Sequence, residues 1–354
     1  MSETENIAKM AEDVSNKIFS FLKWESVDLC NVNFECVKAK EHSNKDNHTH
    51  PVDIVFHYLD PYTKKRILLN TDLKSYATNS ITVASVRTAL KSLAKTIDCA
   101  KFSPIWKERY GNHEEPTEIR GMLFVYNHQG TYDKNFYETF FLKEKHEKRQ
   151  IIDPASLPIK KNQLLHIVEP MMISYLYTLK TDLAYLISEQ KFPFLKQKRH
   201  WFYYPDLYLH KTNYSKYDRA ASLEMISSPF MIIGHDKVIN DGDEQYGAGF
   251  VVYYNGRGET VDEFVYLLDT LSKNQMLDSD SIIRIRCLHP DKSNDITTRF
   301  NNAIEKYASA WGFDSYKYQR LQEIKNNFTL VTQIKERVSD IDVGWRNGDK
   351  KDEG

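Results

Sequence analysis

The stretch from His48 to Tyr76 (HTHPVDIVFHYLDPYTKKRILLNTDLKSY) constrains the fold more than any other part of this sequence. Two runs, Val52 to Leu59 and Arg66 to Tyr76, read as strands. Between them, Asp60-Pro61-Tyr62-Thr63-Lys64-Lys65 is turn chemistry. Proline presets φ, and an aspartate side chain accepts from the backbone that follows it. The chain is therefore expected to double back as an antiparallel hairpin. With the turn centred between Tyr62 and Thr63, Asp53 falls opposite Asp72. Directly opposed residues share a face, as do residues two apart on one strand, so Lys74 stands beside both carboxylates. A slip of one residue would break this arrangement.

Two carboxylates with Cβ atoms about 5 Å apart repel each other, and a divalent cation removes that conflict. Hard oxygen ligands suit Mg²⁺, with Mn²⁺ as the alternative. A lysine beside such an ion can hold the attacking water or offset charge developing on a phosphate. The expected catalytic set is thus Asp53, Asp72 and Lys74, with Asp53 and Asp72 holding the metal, and the chemistry is phosphodiester hydrolysis. The competing reading makes Asp53 part of a turn network and Asp72 and Lys74 exposed neighbours on an edge strand.

The surroundings favour the first reading. A helix is expected from Ile7 to Trp24, a short strand from Asn33 to Ala39, and a loop from Lys40 to His50. After the hairpin, the stripe Val83, Val86, Leu90, Leu93, Ala94 and Ile97 marks a helix from Thr82 to Cys99, capped by Ser80 or Thr82. Ile119 to Asn127 reads as a buried strand. In this order, Pro51-Val52-Asp53 supplies a "PD" element with one residue inserted, and Asp72-Leu73-Lys74 supplies a "(D/E)xK" element in its Asp form. The region from about residue 7 to 130 resembles the PD-(D/E)xK, or restriction-endonuclease-like, nuclease superfamily. The resemblance implies an α/β fold with an N-terminal restriction-endonuclease-like α-β-β-β-α-β core. It also implies a metal-dependent endonuclease acting on DNA, in restriction, repair or defence against foreign DNA. Many members place an acid from the first helix near the metal, which makes Glu12 the candidate third ligand, with Asp13 and Glu35 behind it. The alternative is a non-catalytic nucleic-acid-binding or protein-interaction module that retains the fold.

A chain of 354 residues calls for two domains. The polar connector Lys143 to Lys161 places the nuclease-like domain at 1–150, a second α/β domain at 151–345 and a frayed tail at 346–354. In the second domain, helices fit Met171 to Glu189, Thr260 to Asn274, Asp295 to Trp311 and Gln319 to Lys325. Strands fit Phe230 to Gly234, Gly247 to Tyr254 and Ser281 to Leu288, while Phe328 to Arg337 is ambiguous. With 48 basic and 49 acidic side chains, no uniform basic coat exists, so nucleic acid must meet a local patch. Lys191 to Arg219 is both basic and aromatic, and Lys196, Lys198, Arg199, Trp201 and Lys211 are its candidate contacts. Cutting two strands with one site per chain calls for a homodimer or a partner subunit.

The four cysteines, Cys30, Cys36, Cys99 and Cys287, form no CxxC pair and read as reduced thiols of a cytoplasmic protein. The polar, acidic start shows no signal peptide, and no apolar run is long enough for a bilayer. His48, His50 and His57, with Cys30 and Cys36, invite a zinc reading. The Cys30-to-Cys36 gap exceeds the usual paired spacing, and Cys36 lies in an expected strand, so no zinc site is expected there.

Overall fold

The computed structural model describes residues 3–27, 29–42, 48–111, 113–143, 151–205, 215–312 and 315–333. The tail at 346–354, Lys211 and the middle of the expected connector (144–150) lie outside these residues. The chain forms two compact units, the first running to Ser174 and the second beginning at Tyr175.

The first unit runs α1 (Glu3–Phe21), β1 (Glu25–Ser26), β2 (Phe34–Glu35), α2 (Ala39–His42), β3 (Thr49–His50), β4 (Ile54–Leu59), β5 (Arg66–Tyr76), α3 (Val83–Ala100), α4 (Pro104–Tyr110), β6 (Thr117–Asn127), α5 (Phe136–Phe140) and β7 (Leu165–Val168). Its main sheet has the order β1-β4-β5-β6-β7. The β1, β4 and β5 strands pair antiparallel, whereas β5, β6 and β7 pair parallel. The hairpin register is the expected one, from Ile54 opposite Thr71 to Leu59 opposite Arg66. The Asp60 carboxylate holds the turn, accepting from the N–H groups of Tyr62 at 2.9 Å and Thr63 at 2.7 Å. A capping box between Thr82 and Ser85 starts α3, satisfying two N–H groups that no helical carbonyl can reach.

The two faces of this sheet have different covers. Phe19 of α1 meets Phe56 and Phe124 edge-on, with ring centroids at 4.7 and 5.7 Å. Leu90, Leu93 and Ile97 of α3 pack with Leu123 and Val125, which point the other way from β6. Gly121 allows α3 this close approach, since a Cβ there would lie 3.0 Å from both Leu93 and Ile97 side chains.

Three expectations for this unit are corrected. The strand at Asn33 to Ala39 shrinks to Phe34–Glu35 and pairs with Thr49–His50 outside the main sheet. The loop at Lys40 to His50 instead holds part of α2 and all of β3, because the Lys-Ala-Lys-Glu-His run favours a helical turn over extended chain. The unit also runs past residue 150, because β7 adds a fifth strand along β6.

The α6 helix (Pro170–Ser188) leads into the second unit. There follow β8 (His200–Phe202), α7 (Leu223–Ile226), β9 (Phe230–His235), β10 (Val238–Asn240), β11 (Asp243–Tyr246), β12 (Gly249–Tyr254), α8 (Val261–Lys273), β13 (Ile282–Cys287), α9 (Ile296–Trp311), α10 (Ser315–Asn326) and β14 (Phe328–Leu330). A mixed sheet of order β14-β13-β12-β9-β8 carries the core, and β12, β13 and β14 run parallel. Phe264 and Leu268 of α8 and Phe300 and Ile304 of α9 pack on Val252 and Ile285. The ambiguous stretch after Asn327 begins as a strand, where Phe328 stacks on Phe300 at 4.2 Å. Among the described residues, no helix is long and apolar enough to cross a membrane.

Candidate active site

The β5 strand is buried from Ile67 to Thr71 and half-buried from Asp72 onward, so the acidic and basic pair stands where the strand leaves the core. Asp72 and Lys74 lie opposite Leu123 and Val125 of β6, on the α3 face of the sheet. Asp53 immediately precedes β4 and is held from two sides. Its backbone carbonyl accepts the Asn31 N–H at 2.8 Å, and its carboxylate accepts the Leu73 N–H at 2.7 Å. Lys74 Nζ pairs with Asp72 Oδ1. The structure thus brings Asp53, Asp72 and Lys74 together.

Electrostatics follow from this packing. Burial raises the Asp72 carboxyl to about 6; Lys74 works against the rise, and the adjacent Asp53 adds to it. Burial opposes the charge on Lys74, but the Asp72 and Asp53 carboxylates outweigh it and hold the ammonium above its ordinary range. The Tyr76 phenol, two residues on along the same face, is raised by burial and feels both charges. With the side chains of Asp72 and Lys74 at 15% and 33% exposure, the pair remains open to solvent and small ions. An all-oxygen donor set with more negative charge than one lysine balances fits a hard divalent cation.

The expected third ligand is not gathered here. Among the described residues, no third Asp, Glu, His or Cys joins Asp53 and Asp72 in a cluster of ligand atoms. Glu12 and Asp13 belong to α1, which packs on the face bearing Phe56 and Phe124, opposite to Asp72 and Lys74. Glu35 is exposed on the β2–β3 ribbon. Ser75 points away from Asp72 and meets His128 Nδ1 at 3.2 Å.

In the basic and aromatic segment, Lys196, Lys198 and Arg199 are exposed, and Lys198 lies 4.0 Å from Asp218. Trp201 is not a free stacking platform. Its indole lies on Gly234, where a Cβ would come within 2.3 Å of the ring, and Lys216 Nζ sits 3.4 Å from the ring centroid. Phe192, Phe202 and Tyr204 are buried, so several aromatics that suggested base stacking are core residues.

Comparison with known proteins agrees with the geometry of the first unit. The family described as "GAPS4 protein PD-(D/E)XK nuclease domain" matches residues 1–170, which contain the hairpin, the helices on both faces of the sheet and β7. No curated protein and no solved structure matches the chain. The family match identifies residues 1–170 as a PD-(D/E)XK nuclease domain, and the β4–β5 hairpin and mixed sheet of the first unit agree with it.

Proposed function

We propose that this protein is a metal-dependent endonuclease that hydrolyses phosphodiester bonds in DNA, serving restriction, repair or defence against foreign DNA. The observation that carries the reading is the placement of Asp53 and Asp72 at one end of the β4–β5 hairpin with Lys74 against them. Asp53 and Asp72 would hold Mg²⁺ or Mn²⁺. When bound, such an ion supplies Lewis-acid polarisation of the phosphate and lowers the pKa of a water. Lys74 Nζ, released from Asp72 Oδ1, would hydrogen-bond the attacking water or a phosphoryl oxygen and offset the growing negative charge. The Leu73 N–H fixes the Asp53 carboxylate, so the arrangement is preformed. With one such site per chain, cutting both strands would require a homodimer or a partner subunit.

A second reading rests on the Lys74–Asp72 ion pair itself. In a non-catalytic nucleic-acid-binding module, Lys74 would stand permanently where the cation would act. Cleavage assays with Mg²⁺ and Mn²⁺ on supercoiled plasmid, linear duplex, single-stranded DNA and RNA separate the two. Cutting of DNA that disappears with EDTA and in Asp72→Ala and Lys74→Ala supports the endonuclease. Duplex binding in EDTA with no cutting under any metal supports the second reading, and cutting of RNA alone would overturn the choice of DNA.

A further inference from the structure

A second group of ligand-bearing side chains converges in the first unit. Cys36 follows β2, His42 ends α2, His50 ends β3 and Cys99 lies in the last turn of α3. One ligand atom from each lies within 4.8 Å of all the others. The Cys36 and Cys99 sulfurs are 3.5 Å apart. His42 Nδ1 is 3.6 Å from Cys36 Sγ, 3.3 Å from Cys99 Sγ and 3.4 Å from His50 Nε2. A tetrahedral zinc ion, with bonds of about 2.3 Å to sulfur and about 2.0–2.1 Å to nitrogen, has ligand–ligand edges of about 3.8 Å (S–S), about 3.6 Å (S–N) and about 3.3 Å (N–N). The observed separations follow these edges to within a few tenths of an ångström.

The hydrogen bonds behind the ligands point the same way. Asp98 Oδ2 lies 3.1 Å from His42 Nε2 and can only accept, so that nitrogen carries the proton. Thr96 donates its hydroxyl hydrogen to the Ser92 carbonyl at 3.0 Å, so toward His50 Nδ1, at 3.4 Å, it acts as acceptor. In their neutral forms both histidines therefore aim bare lone pairs, His42 Nδ1 and His50 Nε2, at the space shared with the two sulfurs. A carboxylate behind one imidazole and a hydroxyl behind the other are the supports that orient histidine ligands of metals. Lys38 in turn balances Asp98, at 2.8 Å.

We propose that Cys36, His42, His50 and Cys99 bind one structural zinc ion. Four protein ligands close the tetrahedron and leave no open position, so the ion is not part of the phosphodiester chemistry. On binding, the two thiols release their protons, and two thiolates with two neutral imidazoles leave a Zn²⁺ site with no net charge, compatible with its burial. The β2–β3 ribbon has two residues per strand, too few to hold itself together, and the ion would pin it and α2 to α3. A sequence stretch that packs little of its own core is where a metal contributes most to folding.

The test uses the full chain, purified without chelator from zinc-supplemented medium. Elemental analysis is expected to find one zinc per chain that survives dialysis, and titration of the thiols with a mercurial should release that zinc into a chromogenic chelator. Cobalt substitution should give the visible absorption of a tetrahedral ion with thiolate charge transfer. Cys99→Ser and His50→Ala should lose the metal; if they fail to fold, the release and cobalt experiments on the unaltered chain decide. Asp72→Ala should retain it, which keeps this site separate from the proposed nuclease centre. Absence of zinc from the unaltered chain, full retention in folded Cys99→Ser, or a Cys36–Cys99 disulfide in the purified protein would overturn the proposal.

Discussion

The Asp53 carboxylate accepts the Leu73 N–H at 2.7 Å, just past the point where the backbone ladder ends at Ile54 and Thr71. The side chain does there what a strand carbonyl does elsewhere, and it holds Asp53 against the residue between Asp72 and Lys74. Asparagine keeps the acceptor and the shape but not the charge. Asp53→Asn should therefore fold like the parent and lose metal-dependent cleavage. Asp53→Ala should lose cleavage and also about 1 kcal/mol of stability, the usual worth of one such bond. Urea denaturation beside the cleavage assay checks both, and full activity in Asp53→Asn would remove Asp53 from the metal site.

Asp72 and Asp53 repel each other when no cation is present, which is part of why Asp72 is raised to about 6. A carboxyl whose folded pKa is raised costs stability as pH climbs from the ordinary carboxylate range through about 6, and costs nothing in acid. In EDTA at neutral pH, Asp72→Asn should melt no lower than the parent, and higher if Lys74 transfers to Asp53. Added Mg²⁺ should raise the melting temperature of the parent but not of Asp72→Asn, because only a bound ligand stabilises by mass action. Thermal melts with and without Mg²⁺ read this directly.

The hairpin was legible in the sequence because everything that sets it is local. Asp60 and Pro61 fix the turn, the turn fixes the register, and the register puts Asp53 beside Asp72. Glu12 rests on the resemblance alone: helical spacing shows which stripe of α1 is apolar but not which face of the sheet that stripe covers, and α1 packs on the face away from Asp72. The Cys₂His₂ cluster was missed for a related reason. Its pairing skips Cys30, takes His42 from a run that reads as a loop, and takes Cys99 from a helix far along the chain. In the segment from Lys191 to Arg219, composition could not separate Phe202 and Tyr204, which are core, from Lys196 and Arg199, which are surface.

That separation gives a further test. Exposed cations that contact phosphate contribute to the salt dependence of binding, whereas a packed indole contributes to folding. If the segment meets DNA, replacing Lys196, Lys198 and Arg199 together by alanine should weaken duplex binding and flatten the slope of log K against log salt by up to about 3, roughly one per lost phosphate contact. Trp201→Ala should instead lower stability by about 2 kcal/mol, a typical cost for truncating a packed aromatic side chain that is not fully buried. Binding isotherms across a salt series and urea denaturation of the two variants distinguish these effects. An unchanged slope would place the DNA contacts elsewhere.

Gly249 begins β12 beside Ile282 of β13, and a Cβ there would lie 2.2 Å from the Ile282 carbonyl oxygen. The obstacle is backbone inside a parallel ladder, so no side chain can swing aside. Gly247, two residues earlier, would meet side-chain atoms first, the tip of Ile282 at 3.1 Å and the Glu244 carboxylate at 3.9 Å. Gly249→Ala should cost about 1–3 kcal/mol, the usual penalty for forcing atoms into a packed region, and Gly247→Ala should be far milder. Denaturation midpoints of the two variants should differ clearly, and equal midpoints would mean that β12 and β13 separate more readily than their pairing implies.

His235 is fully buried in β9, with Nε2 2.7 Å from Arg284 and Nδ1 2.8 Å from the Asp236 carbonyl. Arginine can only donate, so Nε2 is the acceptor and Nδ1 carries the proton, which fixes the neutral tautomer. Burial, with the Arg284 guanidinium adding to it, lowers this imidazole to about 4. Between that value and about 6.5, the unfolded chain binds a proton that the folded chain refuses, so stability is whole above about 6.5 and falls as the pH drops toward 4. The full loss from this one group is on the order of 3 kcal/mol. His235→Gln offers an amide oxygen to Arg284 and an amide N–H to the carbonyl, without a titrating proton. Urea denaturation of parent and variant from pH 7.5 to 4.5 should give curves that diverge on the acid side, the parent losing stability faster. Parallel curves would mean that His235 does not titrate between the two states and that the Arg284 contact is not what keeps it neutral.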